Sequence, residues 1–512
     1  MRKIDKTAIL QYKIPSLVLM ENAGEQVVSF ILEKFPSLEN LKVMVICGKG
    51  NNGGDGFVIS RLLKKKRVNV STFLLASKGS CEGDAAINLG KLIKSGVEIS
   101  EITDLAAVDK FEKEIQEADL VIDAMLGTGC EGRVSLIFGK VIEIINALEK
   151  AEVISVDVPS GLNSDNGQVS GPCIYADYTV ALGLVKLGLV VSPGVNFTGE
   201  LVVKDIGIPL AVVQAENVNL NFTTKKDVSA FCKKRAADSN KGTVGKILVV
   251  GGSIGLTGAP CLTAQSALMT GSGIVTVACA KGLNDILEVK LTEVMTKPLS
   301  QNIDRSLSSL AAASIIDMME QYDVLALGPG LGKNRDTGKL VYNLIRKVKK
   351  PIVLDADGLN FISKDPEVLK EKKGVLVVTP HPGEMSRLMR CTIDMIQKYR
   401  VEASLKFAKK YNVITLLKGA RTVIALPTGE VFINSTGNPG MSTAGAGDVL
   451  TGVIASIIGQ GFEPGKAAIY AAFIHGLAGD LAKEEKGEHG LIASDIISNI
   501  PGAILDIKKG ER

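Results

Sequence analysis

Strand-like and helix-like segments alternate along almost the whole chain, in two runs separated by a stretch where the pattern fades. Apolar runs rich in β-branched residues at 43–47, 68–75, 120–123, 153–157 and 178–182 read as buried strands. Helix-length segments such as 57–66, 85–95 and 141–150 lie between them. A second series of strands runs through 247–250, 274–278, 324–327, 352–355, 376–379, 413–416, 423–426 and 431–433. Such alternation predicts a mostly parallel α/β sheet covered by helices, because parallel neighbours need a crossover connection. The last strands are joined by short turns, so that edge is expected to turn antiparallel. Helices at 448–458, 464–482 and 494–499 close the chain.

The pattern breaks where Gly207-Ile208-Pro209 stops a strand and 214–224 becomes polar. The expected domains are therefore 1–210 and 228–512, with 211–227 as linker. A length of 512 residues suits more than one core at about 150 residues per domain. Net charge of +4 and 4% aromatic content argue against a nucleic-acid surface. The basic run Lys64-Lys65-Lys66-Arg67 reads as a solvated helix end. Eight cysteines without a C-x-x-C pair offer neither a zinc spacing nor a disulfide framework. The uncharged stretch 449–462 falls short of the roughly 20 residues of a membrane span. With no apolar leader at the start, a cytoplasmic protein is expected, with no membrane and no nucleic-acid partner.

Two glycine-rich loops each follow a strand, open a helix and carry one aspartate: Asn51-Asn52-Gly53-Gly54-Asp55-Gly56 and Ala444-Gly445-Ala446-Gly447-Asp448. Free N–H groups at a helix N-terminus favour anions. Gly48-x-Gly50-x-x-Gly53 formally fits the dinucleotide fingerprint, but the following strand ends without the carboxylate that would hold a ribose. Asp123 and Asp157 end two further strands of the first half. They stand beside Gly127-Thr128-Gly129-Cys130-Glu131-Gly132-Arg133 and Pro159-Ser160-Gly161. Two carboxylates at strand ends suit a hard cation or an acid–base pair.

In the second half, Thr379-Pro380-His381-Pro382-Gly383-Glu384 follows a strand and fixes one of only three histidines. Gly328-Pro329-Gly330-Leu331-Gly332 allows close backbone approach to a ligand. Lys418-Gly419-Ala420-Arg421-Thr422 joins two strands and offers charge and N–H donors to a nucleotide. Asp355-Ala356-Asp357-Gly358 reads equally as structural or metal-supporting. His475 is expected in the core and His489 in an exposed loop.

In the order and content of these motifs, residues 1–210 resemble the YjeF N-terminal domain, the NAD(P)H-hydrate epimerase family. Residues 228–505 resemble the ribokinase-like YjeF C-terminal domain, the ADP-dependent NAD(P)H-hydrate dehydratases. The second match rests on Lys241-Gly242-Thr243-x-Gly245-Lys246, Gly258-Ala259-Pro260, Gly437-Asn438-x-Gly440 and Asp448-Val449-Leu450-x-Gly452 as well. The resemblance implies a Rossmann-like three-layer α/β/α domain fused to a ribokinase-like α/β domain. It implies repair of NADHX and NADPHX, the hydrates of NADH and NADPH. R and S forms would be interconverted, and the S form dehydrated at the expense of ADP, with AMP and phosphate released.

By the same resemblance, Asn51, Asn52, Gly53, Gly54, Asp55, the loop from Gly127 to Arg133 and Asp157 contact the hydrate in the epimerase. Asp157, rather than Asp55, is the implied acid/base, and K+ sits among Asn52, Asp123 and Ser160. In the dehydratase, Ala259, Gly330, His381 and Asp448 contact the hydrate, with Asp448 catalytic. Lys418, Gly419, Ala420, Arg421, Thr422 and Gly447 contact ADP, and Mg2+ accompanies the nucleotide. A homo-oligomer is implied too. Ala446 stands where the family commonly has Thr or Ser, and Cys130-Glu131 replaces an apolar-basic pair. The Gly-Ala-Gly-Asp loop alone also allows a ribokinase-like small-molecule kinase fused to a ligand-binding Rossmann-like domain.

Overall fold

The computed structural model describes residues 1–129, 132–216, 218–232 and 234–509. The chain divides into two compact units, Met1–Val218 and Asn219–Arg512.

The first unit is built on seven strands: β1 (Lys42–Cys47), β2 (Asn69–Leu74), β3 (Ile99–Glu101), β4 (Leu120–Ala124), β5 (Glu152–Val156), β6 (Tyr178–Leu182) and β7 (Glu200–Lys204). Their spatial order is β3-β2-β1-β4-β5-β6-β7, and every pair is parallel. Side chains alternate across a strand, so β1 feeds two cores at once. Val43, Val45 and Cys47 join one buried cluster, while Met44 and Ile46 join the other. A fully buried side chain of this size is worth about 1.5–3 kcal/mol, so an all-apolar strand suits only a sheet covered on both faces. The order reverses direction between β1 and β4, which opens a crevice beyond their carboxyl ends.

The second unit holds β8 (Leu220–Thr223), β9 (Lys246–Val250), β10 (Ile274–Ala280), β11 (Met295–Leu299), β12 (Val324–Leu327), β13 (Ile352–Leu354), β14 (Leu376–Val378), β15 (Ile414–Leu417), β16 (Val423–Ala425) and β17 (Val431–Asn434). They form one ten-stranded sheet in the order β11-β10-β9-β12-β13-β14-β15-β16-β17-β8. Only β15–β16 and β16–β17 pair antiparallel, as the short turns between them predict. The reversal between β9 and β12 marks the second crevice. Val249 packs on one face, Leu248 and Val250 on the other.

The expected linker differs from the structure. Its first residues form the helix Leu210–Ala215, and Leu220–Thr223 is the edge strand β8, paired parallel to β17. The boundary between the units, after Val218, falls inside the expected linker, but the residues around it are structured. Alternating Leu220-Asn221-Phe222-Thr223 is polar enough to read as a connection, yet it fits an edge strand. The uncharged stretch after Asp448 lies largely within the buried helix Ala446–Gly459. Among the described residues, no helix is long and apolar enough to cross a membrane. His489 is exposed, but it lies in the last turn of the helix Pro464–Gly490, beyond a kink at Gly487, rather than in a loop.

Candidate active sites

In the first unit, β1 runs into Gly48-Lys49-Gly50 and the helix Asn51–Lys65 begins at once. Gly50 caps that helix without a side-chain hydrogen bond, so its first N–H groups are free for an anion. The helix can start this close to the strand only through Gly53: a Cβ there would lie 1.7 Å from the Gly48 carbonyl oxygen.

Behind this turn, Asp123 at the end of β4 is fully buried. Its carboxylate accepts from Ser155 Oγ (2.9 Å), the Ser160 N–H (2.8 Å), the Met125 N–H (3.2 Å) and Ser160 Oγ. Asn52 Nδ2 donates to the Leu126 carbonyl (2.9 Å), and the Leu126 N–H donates to Ser160 Oγ (2.9 Å). Asn52, Asp123 and Ser160, taken from three separated motifs, thus meet around Leu126. Burial raises the Asp123 carboxyl above its ordinary value, with the Ser160 hydrogen bonds working against it. One buried carboxylate without a cationic side chain, surrounded by neutral oxygens, fits a single hard cation of low charge.

A cavity of about 1000 Å3 opens in front, lined by Asn51, Asn52, Asp55, Gly127, Thr128, Arg133 and Asp157. Cys130 and Glu131 lie outside the described residues. Asp157 sits just past β5 in a left-handed conformation (φ +66°). Its Oδ1 accepts from the Leu182 N–H (2.9 Å) and from the Lys186 ammonium, which also donates to the Leu182 carbonyl (2.6 Å). Lys186 is buried and lines the same cavity. Asp55 is held well above the ordinary carboxylate range, by burial first and the Asp157 charge second. Asp5, from the helix Arg2–Leu10, lines the cavity and is raised by burial too. Sequence reading missed Lys186 and Asp5: neither lies in a motif, and both reach the site from distant segments.

In the second unit, Gly445 takes a left-handed conformation (φ +91°) and caps the helix Ala446–Gly459 without a side-chain hydrogen bond. A Cβ there would meet Leu262 Cδ1 at 2.5 Å. The Ala446 N–H turns back to the Thr443 carbonyl (3.4 Å), the Gly447 N–H has no backbone partner among the described residues, and Asp448 stands in the helix's first turn. Burial, with Asp355 second, raises the Asp448 carboxyl to about 7. Thr263 Oγ1 donates to the Asp448 carbonyl (3.0 Å) and fixes the turn.

Asp355, buried at the end of β13, accepts from Lys418 Nζ (2.6 Å) and Thr451 Oγ1 (2.8 Å). Within 355–358, Asp355 anchors Lys418, and Asp357 accepts from the Gly332 N–H (2.9 Å). Burial works against the Lys418 ammonium, but Asp355 and Glu384 outweigh it and raise its pKa. A Cβ on Gly447 would lie 3.3 Å from Lys418 Nζ, so the hairpin loop and the helix start adjoin. The Thr-Pro-His-Pro-Gly-Glu segment forms a capping box. The His381 N–H donates to Glu384 Oε2 (2.7 Å), and the Gly383 N–H donates to His381 Nδ1 (3.0 Å). Burial, then Lys418, lowers the His381 pKa, and burial raises Glu384 to about 7. Gly330 lies against Ala259: a Cβ on Gly330 would be 3.2 Å from Ala259 Cβ. His475, expected in the core, is only half-buried in the helix Pro464–Gly490, with Nε2 buried and unpartnered.

Residues 16–188 match the YjeF-related protein N-terminus family, and residues 247–502 match the NAD(P)H-hydrate dehydratase family. The bifunctional NAD(P)H-hydrate repair enzyme of Moorella thermoacetica is 44% identical, covering 99% of this chain and 96% of that protein. The chain belongs to the family of bifunctional NAD(P)H-hydrate repair enzymes. The family member of Escherichia coli is 30% identical, over 94% of this chain and 88% of its own. An ADP/ATP-dependent NAD(P)H-hydrate dehydratase from Bacillus subtilis, crystallised with ATP and Mg2+, is similar in structure. It has a TM-score of 0.50 and 28% identity, and the match covers 57% of this chain and 99% of that one. The two crevices therefore belong to a family that joins two activities in one polypeptide.

Proposed function

We propose that the first unit epimerises the R and S hydrates of NADH and NADPH, and that the second dehydrates the S form with ADP as phosphoryl donor, releasing AMP and phosphate. The observation that carries this reading is Asp448, a carboxyl raised to about 7 in the first turn of a helix with uncapped N–H groups. Hydroxide is a poor leaving group. Asp448 takes the proton of the ring hydroxyl, whose oxygen attacks the β-phosphorus of ADP as AMP departs. The N–H groups of Gly445 and Gly447 stabilise charge on the transferring phosphoryl group. The ring nitrogen then expels phosphate, and the neighbouring ring carbon gives up a proton to restore the double bond.

Lys418 is committed to Asp355 at 2.6 Å, so the loop's backbone N–H groups and Arg421 are what it offers the nucleotide. His381 and Ala259 with Gly330 border the place for the nicotinamide ring. Mg2+ would enter with the nucleotide and offset the charge of its phosphates. Ala446 has no hydroxyl, so phosphoryl contacts at that position come from backbone alone. In the first unit, Asp157 is the acid/base, and Asn52, Asp123 and Ser160 would hold K+ through their oxygens and support the substrate loop.

Purified S-NADHX incubated with ADP is expected to yield reduced nicotinamide and one free phosphate per turnover. Accumulation of a phosphorylated substrate would establish the small-molecule kinase instead, and turnover with ATP but not ADP would overturn the nucleotide assignment.

A further inference from the structure

The epimerase cavity holds two carboxylates in opposite surroundings. Asp157 is ion-paired to Lys186 and receives the Leu182 N–H at 2.9 Å. Asp55 lines the same cavity and has no ion-pair or hydrogen-bond partner among the described residues. Neither placement is accidental. Asp55 stands on the opening of the helix Asn51–Lys65 beyond β1, and Asp157 follows β5, so the switch point of the sheet brings them together. A carboxylate held by an ammonium suits a base, and an unpartnered carboxyl group in the same cavity suits an acid. Burial raises the Asp55 carboxyl well above its ordinary value, in agreement with the second of these roles.

Resting on the epimerase reading above, we propose that Asp55 is a second catalytic carboxylate, which protonates the departing hydroxyl while Asp157 deprotonates an arriving water. Inversion at the hydroxyl-bearing carbon needs the two groups on opposite faces of the ring. Asp55 gives its proton to the hydroxyl; the C–O bond breaks, water leaves, and the lone pair of the ring nitrogen forms a C=N bond. A second water adds to the other face, the π pair returns to nitrogen, and Asp157 takes the proton of that water. One water leaves and one enters, no oxidant is needed, and one proton has moved from Asp55 to Asp157. The resulting protonation state is the one required for the opposite epimer, so the reverse reaction exchanges the two roles. Lys186 acts as a positioning residue that holds Asp157 towards the cavity.

The test uses the full chain with purified R-NADHX in 18O-labelled water, with uncatalysed exchange subtracted. The wild type is expected to gain one solvent oxygen per inversion. Asp55→Asn should lower kcat for epimerisation about 100-fold or more, with KM within about threefold, and Asp55→Glu should recover part of the rate. A change in KM alone, or kcat of Asp55→Asn within about fivefold of wild type, would overturn the proposal. So would inversion by the wild type without uptake of solvent oxygen, which indicates ring opening. Should Asp55→Asn fail to fold, the oxygen label and Asp55→Glu still decide. If the wild type does not invert R-NADHX at all, the epimerase reading fails instead.

Discussion

In the proposed dehydration, burial is what suits Asp448 to act as the base. Its carboxyl is raised to about 7, by burial and then by Asp355, so ionisation falls within the working range of pH. The kcat/KM of dehydration should therefore rise with pH along a limb centred near 7, the ionised form being the active one. A limb near 4 would contradict that assignment. The same shift has a sign in stability. A carboxyl with a higher pKa folded than unfolded binds more protons in the folded state. Stability is then greatest below about 4 and falls as pH rises towards about 7. Asp448→Asn removes that loss, so above pH 7 this variant should melt higher than wild type while dehydration drops about 100- to 10,000-fold. A lower melting temperature at pH 8 would show the carboxylate to be stabilising.

At the scale of elements, each site is a strand end followed by a helix that starts too early for ordinary residues. Gly445 holds φ at +91°, and a Cβ would strike Leu262 at 2.5 Å. Gly445→Ala should cost the second unit about 2 kcal/mol and displace the helix N-terminus, seen as a lower thermal midpoint and a raised KM for ADP. Unchanged values would mean that the turn is not strained. These glycine turns were readable from sequence because each lies within a few residues of its strand and its helix. So were the long buried strands, whose apolar runs are uninterrupted. The edge strands were not. β3 spans only Ile99–Glu101, β8 looks like a polar connection, and β11 contains Lys297 and Pro298, tolerable only at an edge. Lys186 lies 29 residues from Asp157, a separation that carries no periodic signal. Asp55 was visible, but its lack of partners beside an ion-paired Asp157 is a property of the folded cavity alone.

At the scale of the whole molecule, the two chemistries have separate machinery, each built within one compact unit. The central claim is that the units act in succession on one damaged cofactor. The most direct measurement supplies a mixture of S- and R-NADHX with ADP and follows recovery of reduced-nicotinamide absorbance. Wild type is predicted to recover all of it. Asp157→Ala should consume the S form at the wild-type rate and then slow to the uncatalysed rate of epimerisation, with the R form left over. Recovery of the R form by Asp157→Ala at the wild-type rate would contradict the account.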